Sequence, residues 1–448
     1  MNPSPPEYWN PKNETMARAD LTRLKLVKLQ RLAAWAYERS PFHRRKFDAA
    51  RFRPEQLATL DDLKRIPFTS REEWMAAIAD KPLYGDLLTV PAARAIRYHL
   101  TSGTSGRTPL RVLDGARDWQ WIAECWAYGF HALGVRATDT VFFAFSYGSF
   151  IGFWGAHYAC EKMGALVIPS GNMTTENRVK QIVEMGATVV CSTPTYAFRM
   201  AEVAREQGID LRLDGKVRTL VLSGEPSGSI AQARKLIEEA WGADAGDTAG
   251  MTEIGTIMVF ECRFHPGGTH IIEDHYIEEV LEPHGERACA YGEKGERVVT
   301  SFGRGMIPLL RYRTADMVEK VPYGECRCGR TFDIYKGGIQ GRWDDMRKIR
   351  GTNVYPSAIE ALVRERREVE EFQIVFSRDG ATVREEVTVK VELKPEAATP
   401  WSELEVWLGK ELAAAHEGLA FRVERAANGT LPRFELKARR VVDLRPGR

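Results

Sequence analysis

The chain has 448 residues, 44% hydrophobic and 28% charged, with 63 Lys+Arg against 61 Asp+Glu. That profile belongs to an ordinary globular protein of roughly two to three domains, and it excludes a mainly disordered chain and a disulfide-stapled miniprotein. A formal charge of +2 gives no electrostatic support to binding nucleic acid or an anionic membrane, and neither is expected as a partner.

No run of about eighteen apolar residues marks a membrane span. The opening MNPSPPEYWNPKNETMARAD has no apolar signal segment and no small-residue cleavage site. Cysteines at 125, 160, 191, 262, 289, 326 and 328 are odd in number and scattered, which suits reduced thiols and a cytoplasmic location.

In chain order, Leu21, Leu24, Leu26, Leu29, Leu32 and Trp35 recur at helical spacing with Lys and Arg between them, and Ser40-Pro41 ends that helix. Thr69-Ser70-Arg71-Glu72-Glu73 reads as a capped helix start. From 140 to 300, VFFAF (141–145), ALVIP (165–169), ATVVCST (187–193) and RTLVLSGE (218–225) read as buried strands. RVKQIVEMG (178–186) and SIAQARKLIEEAWG (229–242) read as helices between them, and GERVVTSF (295–302) adds a strand. Such alternation predicts a parallel sheet covered on both faces, with ligands beyond the carboxyl ends of its strands. After GRWDD (341–345) the pattern predicts a hairpin at 346–354, helices at 356–366 and 402–415, and strands at 371–377, 384–394, 419–426 and 437–443. The fold class is therefore α/β: a large N-terminal domain (1–341) with mixed or parallel sheets covered by helices, and a small, mobile C-terminal α+β domain (342–448).

Five segments carry chemistry. YHLTSGTSGRTP (98–109) offers hydroxyls from Thr101, Ser102, Thr104 and Ser105, and Gly103 and Gly106 let backbone N–H groups face one point, as a phosphate cradle requires. The plain alternative is a Ser/Gly-rich surface turn; no GK[ST] follows. GDTAGMTEIG (246–255) reads as a second loop, in which Glu253 could hold Mg²⁺ or be merely solvated behind a capping Thr252. LLRYRTADM (309–317) places Asp316 after a strand, where a carboxylate can accept two ribose hydroxyls. GRWDDMRKIRGTNVYPSAIE (341–360) puts Arg342 and Asp344 at the domain boundary, where a hinge would absorb backbone rotation. Lys437 lies in LPRFELKARRVVD (431–443), and a lone lysine is usually solvated.

Taken in order, these segments resemble the adenylate-forming acyl-CoA synthetase superfamily, and within it the phenylacetate–CoA ligase family. YWNP (8–11), AYERSPFHRRKFD (36–48), LDDLKRIPFTSREEW (60–74), GAHYACEKMGALVIPSG (155–171), THIIEDHYIEEVL (269–281), RYRTADM and CRCGRT (326–331) extend the match over nearly the whole chain. The resemblance implies two half-reactions: ATP and a carboxylic acid give an acyl-adenylate and pyrophosphate, and the CoA thiol then displaces AMP. It implies Ser102, Gly103, Thr104, Ser105 and Gly106 as the phosphate loop, and Gly224, Glu225 and Pro226 as the adenine-side turn. Asp247 is expected to join that nucleotide site. Thr252 and Glu253 meet the α-phosphate and Mg²⁺, Asp316 the ribose, and Arg342 stands beside it. Asp344 is the hinge, Gly351 faces CoA after rotation, and Lys437 neutralises charge during adenylation. A homodimer is common among similar enzymes.

Three departures stand out. Ala249 occupies a position often aromatic in the superfamily, Leu436 replaces the usual Gly before the lysine, and GRTP replaces GKP, so Arg107 sits one residue out of register. CRFH (262–265) and CRC (326–328) suggest a closed Cys₃His zinc site of Cys262, His265, Cys326 and Cys328. The alternatives are three free thiols with a surface His265, or His270 or His275 as the imidazole, with Asp274 orienting a histidine. Some members of the resembled family carry such a zinc as a structural clip.

The aromatic and glycine-rich FSYGSFIGFWGAHY (145–158) suits a flat slot for a planar acid, with Tyr147, Phe150, Phe153, Trp154 and His157 in or beside it; ordinary core packing is the alternative. Phenylacetate, indoleacetate, a substituted benzoate or a bicyclic aryl acid all fit. Two other functions share these motifs: adenylation for a carrier-protein phosphopantetheine thiol, and a silent ligand-binding homologue. Lys437→Ala is expected nearly to abolish adenylate formation and to spare thioester formation from supplied acyl-adenylate. Equal loss in paired half-reaction assays would contradict the two-arrangement assignment.

Overall fold

The computed structural model describes residues 7–101, 109–149, 151–225, 228, 230–378, 384–434 and 438–445. The phosphate-loop residues Ser102, Gly103, Thr104, Ser105 and Gly106, with Arg107, lie outside the described residues, as do Phe150, Pro226, Leu436 and Lys437.

Eleven strands pair into one mixed sheet. Across it run Tyr276–Leu281, Lys294–Ser301, Tyr312–Val321, Ile334–Lys336, Gly268–Ile271, Gly255–Glu261, Asp244–Met251, Thr219–Ser223, Val189–Ser192, Thr140–Phe143 and Leu166–Pro169. The last five are mutually parallel and the others antiparallel. Continuous apolar runs such as VVCS, buried at every position, suit parallel strands covered on both faces.

Alternate side chains point to opposite faces and join different cores. Phe142, Val190, Leu220 and Leu222 pack with Val179, Ile182, Tyr196, Met200, Ile237 and Trp241 from the helices Thr175–Glu184, Pro194–Glu206 and Ala231–Trp241. Thr174 and Thr193 cap the first two helices, and left-handed Gly242 closes the third. Phe143, Val189 and Val221 pack instead with Trp119, Ile122, Trp126 and Phe130 of Ala116–Ala132. That helix is absent from the sequence-based expectation. Its buried residues are Asp118, Trp119, Ile122, Ala123, Cys125, Trp126, Ala127, Tyr128, Gly129, Phe130 and Ala132, which leaves a narrow polar face of Arg117, Gln120 and Glu124.

Two other expectations change. Residues 246–255 are the end of strand Asp244–Met251 and a tight turn into Gly255–Glu261, and Asp316 lies inside strand Tyr312–Val321, not after it. Asp and Gly are poor strand formers in isolation, and burial in a central sheet overrides that preference.

The N-terminal helix Arg18–Arg39 docks by charge: Arg18 and Lys25 each reach Glu273 at 2.5 Å. The C-terminal α+β domain has its own four-stranded sheet, ordered Arg422–Arg425, Glu385–Leu393, Val369–Arg378, Val441–Asp443, and its own core around Phe372, Ile374, Val389, Leu404 and Leu408. The hairpin Arg347–Ile349/Thr352–Val354 precedes it. Among the described residues, no helix is long and apolar enough to cross a membrane.

Upstream of Arg18–Arg39, Glu14 is buried against Arg330, whose Nε donates to Glu14 Oε2 at 2.6 Å. Glu14→Ala strands a buried guanidinium and is expected to cost about 3–5 kcal/mol in denaturant unfolding. A loss below about 1 kcal/mol would show that water reaches Arg330.

Candidate active site

Three of the expected groups converge where the parallel half of the sheet meets the antiparallel half. Strand Thr219–Ser223 ends in a turn that Gly224 makes with φ +95°, a left-handed conformation costly for other residues. The neighbouring strand Asp244–Met251 ends at Thr252 and Glu253. Asp316 arrives from Tyr312–Val321, and backbone pairing sets Arg342 directly across from it.

Asp316 sits between two arginines, Arg297 Nη1 and Arg342 Nη1, each 3.6 Å from a carboxylate oxygen. Arg297 is already gripped by Glu278, with Nε to Oε2 at 2.5 Å, and Glu278 also accepts the Tyr335 hydroxyl at 2.6 Å. Arg342 forks onto Asp344, with 2.7 and 2.8 Å contacts. Both arginines therefore bring charge to Asp316 without making close hydrogen bonds to it, which leaves its oxygens able to accept ligand hydroxyls. Burial pushes the Asp316 carboxyl above the ordinary carboxylate range, and Arg342 and Arg297 oppose that rise. The same fork ties Arg342, expected beside the ribose, to Asp344, the expected hinge.

Glu253 is buried, and burial likewise raises its carboxyl, opposed by Arg71 and Arg342. Arg71 Nη1 lies 3.1 Å from Glu253 Oε1. Arg71 opens the helix Arg71–Asp80 behind the Ser70/Glu73 capping box, and Thr69 stitches this segment to the sheet through Arg311 O (3.0 Å) and Arg313 N–H (2.9 Å). Sequence reasoning took Arg71 only as part of a helix start; nothing local in its neighbours distinguishes it from a solvated first-turn residue. Thr252 is held through its carbonyl by the buried Arg304, whose guanidinium forks onto Asp114 at 2.6 and 2.7 Å.

Asp247 is placed differently from a ligand-facing acid. It is 3% exposed, and its backbone N–H donates to Glu261 at 2.8 Å. A Cβ at Gly228 would lie 2.6 Å from its Oδ1, so the carboxyl packs directly beneath the turn after Gly224. Burial, then Glu261, pushes its carboxyl well up. Glu225 accepts backbone N–H bonds from Thr195 (3.1 Å) and from Ala438 of the C-terminal domain. Ala249 pairs with Val259 across the sheet, and Gly351 forms the tip of the hairpin at φ +94°.

The aromatic segment forms a cluster with polar ends. The Tyr147 hydroxyl bonds His157 Nδ1 at 2.8 Å, and His157 Nε2 lies 3.2 Å from Glu161. Tyr147 stacks near Phe145 (centroids 3.9 Å) and meets the edge of Trp154 at 4.8 Å. Phe153 is buried among Trp126, Phe143 and Phe145, on the core side of the cluster. Arg97, not foreseen from the sequence, lies over Trp154, Trp119 and Tyr158 at 5.5, 5.1 and 4.8 Å.

A separate donor group comprises Cys262, His270, Cys326 and Cys328, with ligand atoms all within 4.8 Å of one another. The imidazole is His270, which corrects the expectation of His265: His265 is half-exposed and outside this group. Strand register decides it, because Gly268–Ile271 pairs His270 with Ile334, beside the loop that bears Cys326 and Cys328. Cys262 and Cys326 sulfurs are 3.5 Å apart, and Cys328 Sγ is 3.4 Å from His270 Nε2. Tetrahedral zinc with bonds of about 2.0–2.3 Å needs edges of about 3.5–3.8 Å, so the spacing fits a metal, whereas a disulfide requires about 2.05 Å. His270 Nδ1 meets Phe332 O at 3.2 Å, which leaves Nε2 as the ligand nitrogen.

Asp316→Ala is expected to raise KM for ATP about tenfold or more with a smaller change in kcat. Burial raises both carboxyls, and if Glu253 holds Mg²⁺ and Asp316 ribose, as the family resemblance implies, each must be ionised to do so. Nucleotide affinity should therefore fall on acidification while the pH is still above about 4, where an exposed carboxylate would remain ionised. An unchanged KM, or affinity flat down to that pH, would remove these carboxyls from the nucleotide site.

The AMP-binding enzyme C-terminal domain family matches residues 351–445. Phenylacetate–coenzyme A ligase of Thermus thermophilus is 35% identical over 98% of this chain and 99% of its own, and that of Escherichia coli K12 is 34% identical over 97% and 98%. Among solved structures, 2-hydroxyisobutyryl-CoA ligase in its postadenylation state with R3-HIB-AMP superposes with a TM-score of 0.90, at 32% identity over 99% of this chain and 94% of its own. The same enzyme with 2-HIB-AMP and CoA in its thioesterification state, at equal identity and coverage, gives 0.73. Full-length relatives above 30% identity, on a sheet that brings Glu253 within charge range of Asp316 and Arg342, establish that the chain belongs to the phenylacetate–CoA ligase family of adenylate-forming enzymes.

Proposed function

We propose that the protein activates an aromatic carboxylic acid with ATP and transfers the acyl group to CoA. The observation that carries this reading is the pair of buried carboxylates, Glu253 and Asp316, each countered by an arginine from another segment. In the first half-reaction a carboxylate oxygen of the acid attacks the α-phosphorus of ATP, and pyrophosphate leaves with the electron pair of the broken P–O bond. In the second, the CoA sulfur attacks the acyl carbon, AMP leaves, and the thiol proton goes to solvent. The chemistry needs positioning and charge stabilisation more than covalent help from the protein.

Each residue then has a task. Asp316 accepts the ribose hydroxyls and Arg342 fixes its charge. Glu253 would hold Mg²⁺, which supplies charge neutralisation to the phosphates, and Thr252 contacts the α-phosphate. Arg71 adds a cation at the same edge. The loop of Ser102, Gly103, Thr104, Ser105 and Gly106 cradles phosphate, and Gly224, Glu225 and Pro226 border the adenine, with Asp247 supporting that turn from below. Lys437 joins from the C-terminal domain for adenylation, and rotation about Asp344, with the boundary at 341/342, brings Gly351 to the CoA side. Tyr147, Trp154 and His157, with Phe153 behind them and Phe150 as a further expected member, form a slot for a planar acid such as phenylacetate or indoleacetate. The cytoplasm, a reducing compartment, suits seven cysteines that are all free of disulfides.

ATP-dependent pyrophosphate release across a panel of aromatic acids, with and without CoA, tests this reading. Release that depends on one acid, with AMP and the matching acyl-CoA as products, is expected. Release indifferent to CoA would redirect the acceptor to a carrier-protein thiol, and absence of release with every acid would contradict the ligase reading.

We assign zinc to Cys262, His270, Cys326 and Cys328. Four protein donors leave no open position, so the ion would be a structural clip. Metal analysis of purified protein is expected to give about one zinc per chain, with loss in a Cys326→Ser/Cys328→Ser variant. Trace zinc in the unaltered protein would refute the clip.

A further inference from the structure

Glu225 sits in the turn expected to border the adenine, yet both of its oxygens are occupied by protein. Oε2 accepts the N–H of Thr195, in the first turn of helix Pro194–Glu206, at 3.1 Å, and Oε1 accepts the N–H of Ala438. Ala438 belongs to the C-terminal domain and follows Lys437 directly in sequence. Two residues on, Arg440 Nη1 donates to the Thr195 hydroxyl at 3.2 Å. That guanidinium is itself fixed by Glu371 at 2.6 and 3.0 Å and lies 3.5 Å from Glu360, both in the C-terminal domain. Arg440, Glu371 and Thr195 are all under 9% exposed. Other charged contacts between the two domains, Arg367–Glu239 and Arg205–Glu396, join side chains 44–64% exposed and contribute little. The buried part of the seam includes Glu225 and Thr195, together with Arg364 over the Phe198 ring at 5.0 Å and the Glu202–Glu370 pair.

The domain arrangement is the one that matches a postadenylation state far better than a thioesterification state. Rotation of the C-terminal domain would carry the Ala438 N–H and Arg440 away together. It would leave Glu225 and Thr195 facing whatever replaces them.

We propose that Glu225 is a positioning residue for adenylation: its carboxylate latches the C-terminal domain through the Ala438 N–H, so the turn beside the adenine also registers the domain arrangement. This rests on the ligase reading above. Glu225 acts through the backbone next to Lys437 and takes no part in bond making. The CoA half-reaction begins when the latch opens.

The test compares Glu225→Ala, Glu225→Gln and Thr195→Val with the unaltered full-length protein. Three readouts are taken: adenylate formation in single turnover, thioester formation from supplied acyl-adenylate, and hydrogen–deuterium exchange of peptides covering 194–200 and 438–445. Glu225→Ala is expected to slow adenylation about ten- to a hundredfold, the loss of one charge-assisted hydrogen bond. Thioester formation should fall far less. Both peptides should exchange faster. Glu225→Gln keeps an acceptor oxygen and should recover most of the adenylation rate, and Thr195→Val should show a smaller loss of the same sign. Equal loss in both half-reactions, or unchanged exchange at 438–445, would each overturn the latch. If the unaltered protein forms no adenylate from any acid, the ligase reading fails by itself. The exchange comparison between the unaltered protein and Glu225→Ala then decides the latch alone.

Discussion

A carboxylate taken out of water must be met by a cation or remain protonated, and this requirement organises the molecule. The central sheet contributes the acids: Glu253 at a strand end, Asp316 within a strand, and Glu261 and Glu278 in the interior. The cations come from elsewhere in the chain. Arg71 arrives from the N-terminal helical region, Arg342 from the segment leading into the C-terminal domain, and Arg297 from a neighbouring strand. Charge pairing therefore does more than offset desolvation; it gathers distant segments on one sheet edge. The contacts around Asp316 are longer than ordinary hydrogen bonds, whereas Glu278 and Arg297 are closed on each other. The first pattern suits a group that awaits a ligand, and the second a group that holds its neighbour still.

The same logic extends beyond the nucleotide edge. Glu14 and Arg330 anchor the N-terminal segment beside the Cys/His donor group, where Tyr8 donates its hydroxyl to the Cys328 carbonyl at 2.8 Å. With zinc bound as proposed, the donor group would be a second clasp on the same region, joining the end of one strand, another strand and the loop between 326 and 328. In the C-terminal domain Arg440 and Glu371 form a rigid fork against the nucleotide domain. Rigid pairs inside each domain and a few exchangeable bonds between them are what a two-arrangement enzyme needs.

Much of this was legible in the chain itself, for identifiable reasons. Strands such as Val189–Ser192 and Thr219–Ser223 are short apolar runs bounded by helices with clear caps, and the C-terminal hairpin, helices and strands follow their periodicities closely. What escaped was decided by tertiary context. Helix Ala116–Ala132 is the exception: Arg117, Gln120 and Glu124 recur at helical spacing beside an apolar face, and that local signal was available. Strand Asp244–Met251 carries Asp and Gly because it runs through the buried centre of the sheet, and Gly246 lies where a Cβ would strike Leu133 at 2.2 Å. The metal-group histidine depends on strand register, and Arg71 depends on a contact 182 residues away. Motif order identified the family; long-range pairing decided which neighbours the expected site residues keep.

One site would serve two reactions, with a different part of the C-terminal domain facing it in each. Leu213 and Val406, at 81% and 71% exposed, stand on different domains and accept spin labels without disturbing either core. Electron–electron resonance distances between labels at these positions, recorded with a bound non-reactive acyl-adenylate analogue and then with CoA added, address the claim directly. The account predicts one distance, that of the present structure, with the analogue alone and a second distance appearing when CoA binds. A single unchanged distance under both conditions, in protein that still turns over, would contradict it.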